Sequence, residues 1–198
     1  MRLTDKVAIV TGGAHGMGEA EARLFAAEGA RVIVADILES EAEIVASDIR
    51  AGRKEAMAAK IDVTSESGWM DLITKVVETH GRLDILVNNA GISGSSVGDP
   101  DGLEGWHQII AVNQTSVFLG TRLAAEQMAK TGGGSIIKHQ FHYGVCRQHP
   151  WASRVSCIQR RGADLLQSRR SAVWPVRSQS QHRPSRLYAA DAECDQRG

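Results

Sequence analysis

The sequence predicts an α/β protein built on a doubly wound parallel sheet. Three observations carry that expectation. Short β-branched apolar runs alternate with longer stretches whose apolar residues recur at helical spacing. Connections of that length let neighbouring strands run parallel, and parallel sheets are covered by helices on both faces. Finally, turns rich in Gly or Asn follow the first and fourth strands, on the edge where such sheets take ligands.

The elements can be justified in order. Lys6 to Thr11 is the first strand, and Gly12 to Gly18 is a glycine-rich turn. Glu19 to Glu28 has Ala and Leu at helical spacing and is closed by Gly29. Arg31 to Asp36 is a second buried strand, and Glu39 to Arg50 is a helix with Gly52 as its C-cap. Glu55 to Asp62 is a weaker strand. Ser65 to His80 is strongly amphipathic, with Trp69, Leu72, Ile73, Val76 and Val77 apolar, and Gly81 stops it. Leu83 to Val87 is the fourth strand, Trp106 to Ala129 one long helix, and Gly134 to Ile137 the start of a fifth strand. Right-handed crossovers wind these units onto both faces of the sheet.

Composition narrows the class. The chain has 198 residues, 42% hydrophobic and 23% charged, enough for one globular core. No run approaches the ~18 to 20 apolar residues of a membrane helix. The apolar run Val7 to Val10 is too short for a signal-peptide core. A cytoplasmic protein without a membrane partner is expected.

The zero net charge is a cancellation. Residues 1–138 carry 13 Lys and Arg against 19 Asp and Glu, a net of −6. Residues 139–198 carry 10 against 4, a net of +6, and all ten cations are Arg. Cys146, Cys157 and Cys194 also lie beyond 138, without the C-x-x-C spacing of a zinc or redox site, so no metal is expected. The chain therefore divides into a domain over 1–138 and an aberrant Arg-rich tail over 139–198.

The motifs lie at strand ends. Thr11-Gly-Gly-Ala-His-Gly-Met-Gly18 joins a strand to a helix, where a tight turn lets backbone amides meet a pyrophosphate. Its spacing differs from the common G-x-G-x-x-G fingerprint, and alone it could be an ordinary turn. Gly12, Gly16, Met17 and Gly18 are the loop's candidate cofactor residues. Asp36 ends the second strand, where a carboxylate accepts both hydroxyls of an adenosine ribose and repels a 2′-phosphate. No Arg or Lys follows it, and His15 is the one basic residue of the loop, so NAD is favoured over NADP. The plainer alternative is a solvated Asp opening a turn. Asp62-Val63 could meet an adenine edge. Asn88-Asn89-Ala90-Gly91 could bridge strand ends and let a ribose approach, although Asn and Gly also form turns on their own account.

Together, Thr11-Gly12, Gly16-x-Gly18, Asp36, Asp62-Val63, Asn88-Asn-Ala-Gly91, Val112-Asn113 and Ser116-Val-Phe-Leu-Gly120 resemble the short-chain dehydrogenase/reductase family. The likeness runs from about Lys6 to Ile137 and is greatest to NAD-dependent alcohol and hydroxysteroid dehydrogenases. It implies a Rossmann-like fold and hydride transfer between NAD(P) and a secondary alcohol or ketone. It also implies a Ser, Tyr and Lys site, with Tyr as acid/base and Ser on the substrate oxygen. Asn113 matches the family's relay Asn; alternatively it marks a helix kink.

The likeness breaks at Lys138. The family continues with a strand ending in Ser and then Tyr-x-x-x-Lys, whereas this chain reads Lys138-His-Gln-Phe-His-Tyr-Gly144. Tyr143 and Tyr188 are followed four residues later by Arg147 and Ala192, and no lysine follows Lys138. One extra nucleotide near codon 138 accounts for the break. Undoing it with suitable synonymous codons turns Lys138 to Tyr143 into Asn-Ile-Ser-Ser-Ile. It turns Val155 to Gln159 and the following Arg into Tyr-Arg-Ala-Ser-Lys. It also gives a Pro-Gly-containing segment from Trp174 to Leu187. All three fall in order in one frame.

As written, the chain keeps the adenosine half of the site and loses the reacting half, with Val155 and Gln159 in the Tyr and Lys slots. Dehydrogenase activity is therefore not expected. The fifth strand would present an unpaired edge, and association into homo-oligomers would require a restored C-terminal part. The alternative is a non-catalytic nucleotide-binding or interaction protein with a basic tail. A nucleic-acid partner is not expected, because the arginines are scattered and Trp151 and Trp174 do not interleave with them.

Overall fold

The computed structural model describes residues 1–99 and 101–139, together with the backbone of Trp174–Arg177. Five parallel strands form the sheet: β1 (Val7–Thr11), β2 (Arg31–Asp36), β3 (Ala56–Lys60), β4 (Ile85–Asn88) and β5 (Gly133–Lys138). The order β3-β2-β1-β4-β5 places the first strand in the centre, with the chain winding outward in both directions. This is the expected Rossmann-like architecture.

Alternation along the strands builds two cores. Ala8, Val10, Val32, Val34, Ile85 and Val87 face α1 (Gly16–Ala27) and α2 (Glu39–Ala51). Val7, Ile9, Ile33, Ala35, Leu86 and Ile136 face the other way, toward Trp69, Leu72, Ile73 and Val76 of α3 (Glu66–His80). A β-branched strand that is apolar at every position is what burial on both faces demands. Trp69 is fully buried, and its indole donates to the Val63 carbonyl at 2.9 Å. Ser65 caps α3 by accepting from the Gly68 amide at 3.1 Å, and Gly81 ends it at φ 76°. Gly52 does cap α2, but with right-handed backbone (φ −76°); the left-handed residue is Arg53 at φ 57°.

Two expectations need correction. The long helix over 106–129 is three segments: α4 (Leu103–Ile110), a π-helical turn (Ala111–Thr115) and α5 (Ser116–Lys130). Apolar periodicity continues through the turn, so it does not register the extra residue that a π turn inserts. The second concerns the edge of the sheet. β6 (Trp174–Arg177) pairs antiparallel with β5, in the register Gly133↔Arg177 to Ile136↔Trp174. The unpaired main-chain groups of an edge accept any chain that can lie extended along them, so β5 is covered where an open edge was expected.

The base of the sheet is pinned by Asp84, which is 4% exposed. Its carboxylate accepts from the Val7 amide at 2.9 Å and from Arg82 Nε at 2.8 Å, and Lys6 Nζ lies 3.5 Å away. Burial alone would raise its pKa. The Arg82 guanidinium, the Val7 amide and the Lys6 ammonium outweigh burial and hold it below the usual carboxylate range.

Candidate dinucleotide site

The loops after β1 and β4 leave the sheet in opposite directions, which opens a crevice at the strands' carboxyl ends. A cavity of about 560 Å³ lies there. Hydrogen bonds stitch its floor. Thr11 Oγ1 donates to the Val87 carbonyl at 3.1 Å and accepts from the Asn89 and Ala90 amides at 3.0 and 3.1 Å. Asn89 Nδ2 donates back to the carbonyls of Thr11 and Gly12 at 2.9 and 3.2 Å. The second Asn thus bridges strand ends as its position implied. Asn88 turns to the other side of the sheet, where its Nδ2 donates to Thr121 Oγ1 at 3.4 Å.

The glycines have separate reasons. A Cβ on Gly18 would sit 2.1 Å from the Gly12 carbonyl oxygen and 2.5 Å from Asn89 Nδ2, so α1 can close on the loop only without a side chain there. Gly16 has φ 58° and open space where its Cβ would be, leaving the start of α1 uncovered. Helix α1 therefore begins inside the glycine motif, three residues earlier than its periodicity indicates.

Asp36 closes one wall. Its Oδ2 accepts from the Ala14 amide at 3.0 Å and its Oδ1 from the Leu38 amide at 3.1 Å. The same carboxylate thus holds the glycine loop and the turn after β2. Each of its oxygens keeps an acceptor site in reserve. Asp62 Oδ1 is engaged by Thr64, through the amide at 2.9 Å and the hydroxyl at 2.7 Å.

Of the candidate residues, Gly12, Gly16, Met17, Asp36, Asp62, Val63, Asn89, Ala90 and Gly91 line the cavity; Gly18 and Asn113 do not. Gly18 acts beneath the loop. Asn113 lies in the π turn, and its amide holds the backbone of Ile92 in the segment after β4. The kink alternative for Asn113 thus describes its place: it marks an irregular turn, and its amide is engaged by Ile92 at the site's border. The cavity also takes His15, Ile37, Leu38, Ile61, Ile92, Ser96, Gln108 and Val112, which sequence reasoning did not select. Val112 and Gln108 stand one helical turn apart, and Ile37-Leu38 follow Asp36 directly; both adjacencies were signals in the sequence. Ser96 belongs to a 3-10 turn (Gly94–Ser96) without a sequence signature. Val155 and Gln159, in the Tyr and Lys slots, and 140–142 of the expected Ser segment lie outside the described residues.

A family model for short chain dehydrogenases matches residues 6–149. The chain belongs to the short-chain dehydrogenase family. Members of that family use nicotinamide cofactors. This short-chain dehydrogenase is 38% identical to 2,5-dichloro-2,5-cyclohexadiene-1,4-diol dehydrogenase LinX of Sphingobium indicum, across 87% of the chain and 68% of the relative. It is 41% identical to 3-alpha-(or 20-beta)-hydroxysteroid dehydrogenase of Mycobacterium tuberculosis, across 69% of the chain but 51% of the relative. Among solved structures it resembles a 7 alpha-hydroxysteroid dehydrogenase complexed with NADH and 7-oxo glycochenodeoxycholic acid. The TM-score is 0.72 at 31% identity, covering 83% of this chain and 64% of that one. The chain thus spans about half to two thirds of the length of these relatives. Among the described residues, no helix is long and apolar enough to cross a membrane.

Proposed function

We propose that residues 1–138 form an NAD-binding unit, and that the chain as written binds the dinucleotide without oxidising an alcohol. One observation carries the reading: the Asp36 carboxylate stands in the cavity wall with acceptor capacity left beside the glycine loop it anchors. A ribose bearing two free hydroxyls suits that carboxylate, and a 2′-phosphate is repelled by it. Asn89 Oδ1 adds to the fit. It is buried, lines the same cavity through its residue and has no hydrogen-bond partner among the described residues. A buried amide oxygen left in this way favours a ligand donor.

The bound nicotinamide would supply the hydride chemistry of the family. This chain's own residues would hold the dinucleotide. The loop from Gly12 to Gly18 would face the pyrophosphate, Asp36 the adenosine ribose, Asp62 and Val63 the adenine, and Asn89-Ala90-Gly91 the nearer ribose. Asn113 would keep the segment around Ile92 in place. Proton transfer needs an acid of tuned pKa, and Val155 and Gln159 in the Tyr and Lys slots supply none. A one-base insertion near codon 138 explains those residues and the Arg-rich composition together. In a form with the reading frame restored, we infer a cytoplasmic, homo-oligomeric NAD-dependent enzyme. The relatives' names point to a ring-borne secondary alcohol as its substrate class.

NADH binding can be read by fluorescence and turnover by absorbance with cyclic secondary alcohols. NADH should bind more tightly than NADPH, with no turnover. Turnover by the purified 198-residue chain would overturn the inactive reading, and absence of NADH binding would overturn the binding unit. Sequencing the gene across codons 136 to 140 tests the insertion.

A further inference from the structure

Beyond β5 the sheet meets β6, and the phase of that contact can be read from β4. The Ser135 and His139 amides donate to the carbonyls of Asp84 and Asn88 at 2.8 and 3.0 Å. Main-chain groups alternate sides along a strand, so the amides of Gly134 and Ile136 point away from β4, toward the outside of the sheet. Ile136 is a core residue, so this edge borders the apolar interior.

The main chain of β6 supplies partners in that phase. Gly134 stands opposite Val176, and Ile136 opposite Trp174. At such positions an antiparallel pair exchanges both of its main-chain bonds. Pro175 stands between them, opposite Ser135, where the main chain of β6 faces away from β5. Proline fits that phase, since it has no N–H to give. The outer edge of β6 therefore lacks a donor at Pro175. Of its four residues only Arg177, opposite Gly133, turns an N–H outward. A further strand could exchange one complete pair of bonds with it and no more. Among the described residues no strand follows, and β6 ends the sheet.

We infer that Trp174–Arg177 is a terminating strand that keeps the chain from associating edge to edge. A bare row of donors and acceptors on β5 would template the same row of a second copy, and two like edges pair about a two-fold axis. The segment blocks that route twice. It occupies the outer edge of β5, and through Pro175 it presents a short edge with a missing donor in its place. Among the described residues the cavity takes none from β5, so edge protection and dinucleotide binding can fail independently.

Hydrogen exchange on the full chain reads the edge amide by amide, and sedimentation velocity reads self-association. In wild type, Gly134 and Ile136 should be protected equally at every protein concentration. Protection that rises with concentration would mean that a second copy covers β5, and absent protection that nothing does; either defeats the inference. Val176→Pro removes the N–H that meets Gly134. It should speed exchange at both amides by about tenfold or more in dilute solution, and give larger species than wild type as concentration rises. Lost protection without association would show the bare edge to be harmless and sink the protective role. Arg177→Pro removes the neighbouring, outward N–H and should leave both readouts at wild type. Damage equal to that of Val176→Pro would contradict the phase on which the inference stands. Pro175→Val returns the missing donor, so β5 should stay protected while the chain dimerises through β6. A valine variant no more associated than wild type would take the stop away from Pro175. Exchange at Ser135, whose amide is held by Asp84, reports whether the rest of each variant's sheet is folded. Where that protection is lost, wild type and Pro175→Val decide.

Discussion

Asn113 grips a single residue, Ile92, with both ends of its side-chain amide. Its Oδ1 accepts from the Ile92 amide at 2.8 Å, and its Nδ2 donates to the Ile92 carbonyl at 2.9 Å. The pairing imitates one rung of a β-ladder between a π-helical turn and the segment after β4. It fixes that segment where it borders the cavity.

Asn113→Ala should remove both bonds and cost about 1 to 3 kcal/mol, read as a lower denaturation midpoint. NADH affinity should fall with it, because Ile92 and Gly91 border the cavity. Asn113→Asp keeps the acceptor but turns the donor into a second acceptor facing a carbonyl. It should therefore be no better than alanine. An aspartate variant that matched wild type would show that the Nδ2 bond contributes nothing.

The glycines of the first loop should separate under substitution. Gly18→Ala drives a methyl into the Gly12 carbonyl and should cost about 3 kcal/mol. Gly16→Ala meets open space but an unfavourable φ of 58°, for about 1 kcal/mol. Paired denaturation curves check the order, and equal losses would mean that the α1 N-terminus relaxes freely.

Asp36→Asn keeps the shape of the group but removes its charge and replaces one of the two oxygens that accept from Ala14 and Leu38 with a donor. The ratio of NADH to NADPH affinity should fall by about tenfold, equivalent to ~1.4 kcal/mol. Titration of each dinucleotide by fluorescence gives the ratio directly. A ratio that does not move would take Asp36 out of coenzyme choice and leave it a loop anchor.

Acid should act through Asp84. Its folded-state pKa lies below the unfolded one, so its stabilisation is present above the ordinary carboxylate value and is lost as pH falls through the lowered one. Asp84→Asn should cost about 2 kcal/mol at neutral pH and flatten the acid side of the stability profile. A variant profile that runs parallel to wild type would show that another carboxylate governs acid unfolding.

The sheet was legible in the sequence because its determinants are local. Runs such as Arg31 to Asp36 alternate buried faces, and Ser65 and Gly81 mark the ends of α3 by their own side-chain or backbone chemistry. Strand ends were legible for the same reason, since Asp36 and Asn88 each stand directly after apolar residues. What escaped were features fixed by contacts between distant segments. The π turn exists where Asn113 meets Ile92, 21 residues away, and periodicity alone cannot register that meeting. The cover on β5 comes from residues 41 positions beyond Gly133 at the nearest, with no hydrophobic pattern to announce them. Gln108 entered the cavity because α4 turns it inward, a matter of helix placement rather than composition.

The central position of β1 has a consequence for synthesis. The first strand off the ribosome becomes the axis on which the later strands are laid, and among the described residues the cavity draws on none beyond Val112. Every described residue that lines the cavity has therefore been made before any codon past 138 is read. Whatever those codons specify is added to a chain that already carries the cavity's described lining, which can accept a native continuation or merely tolerate a foreign one.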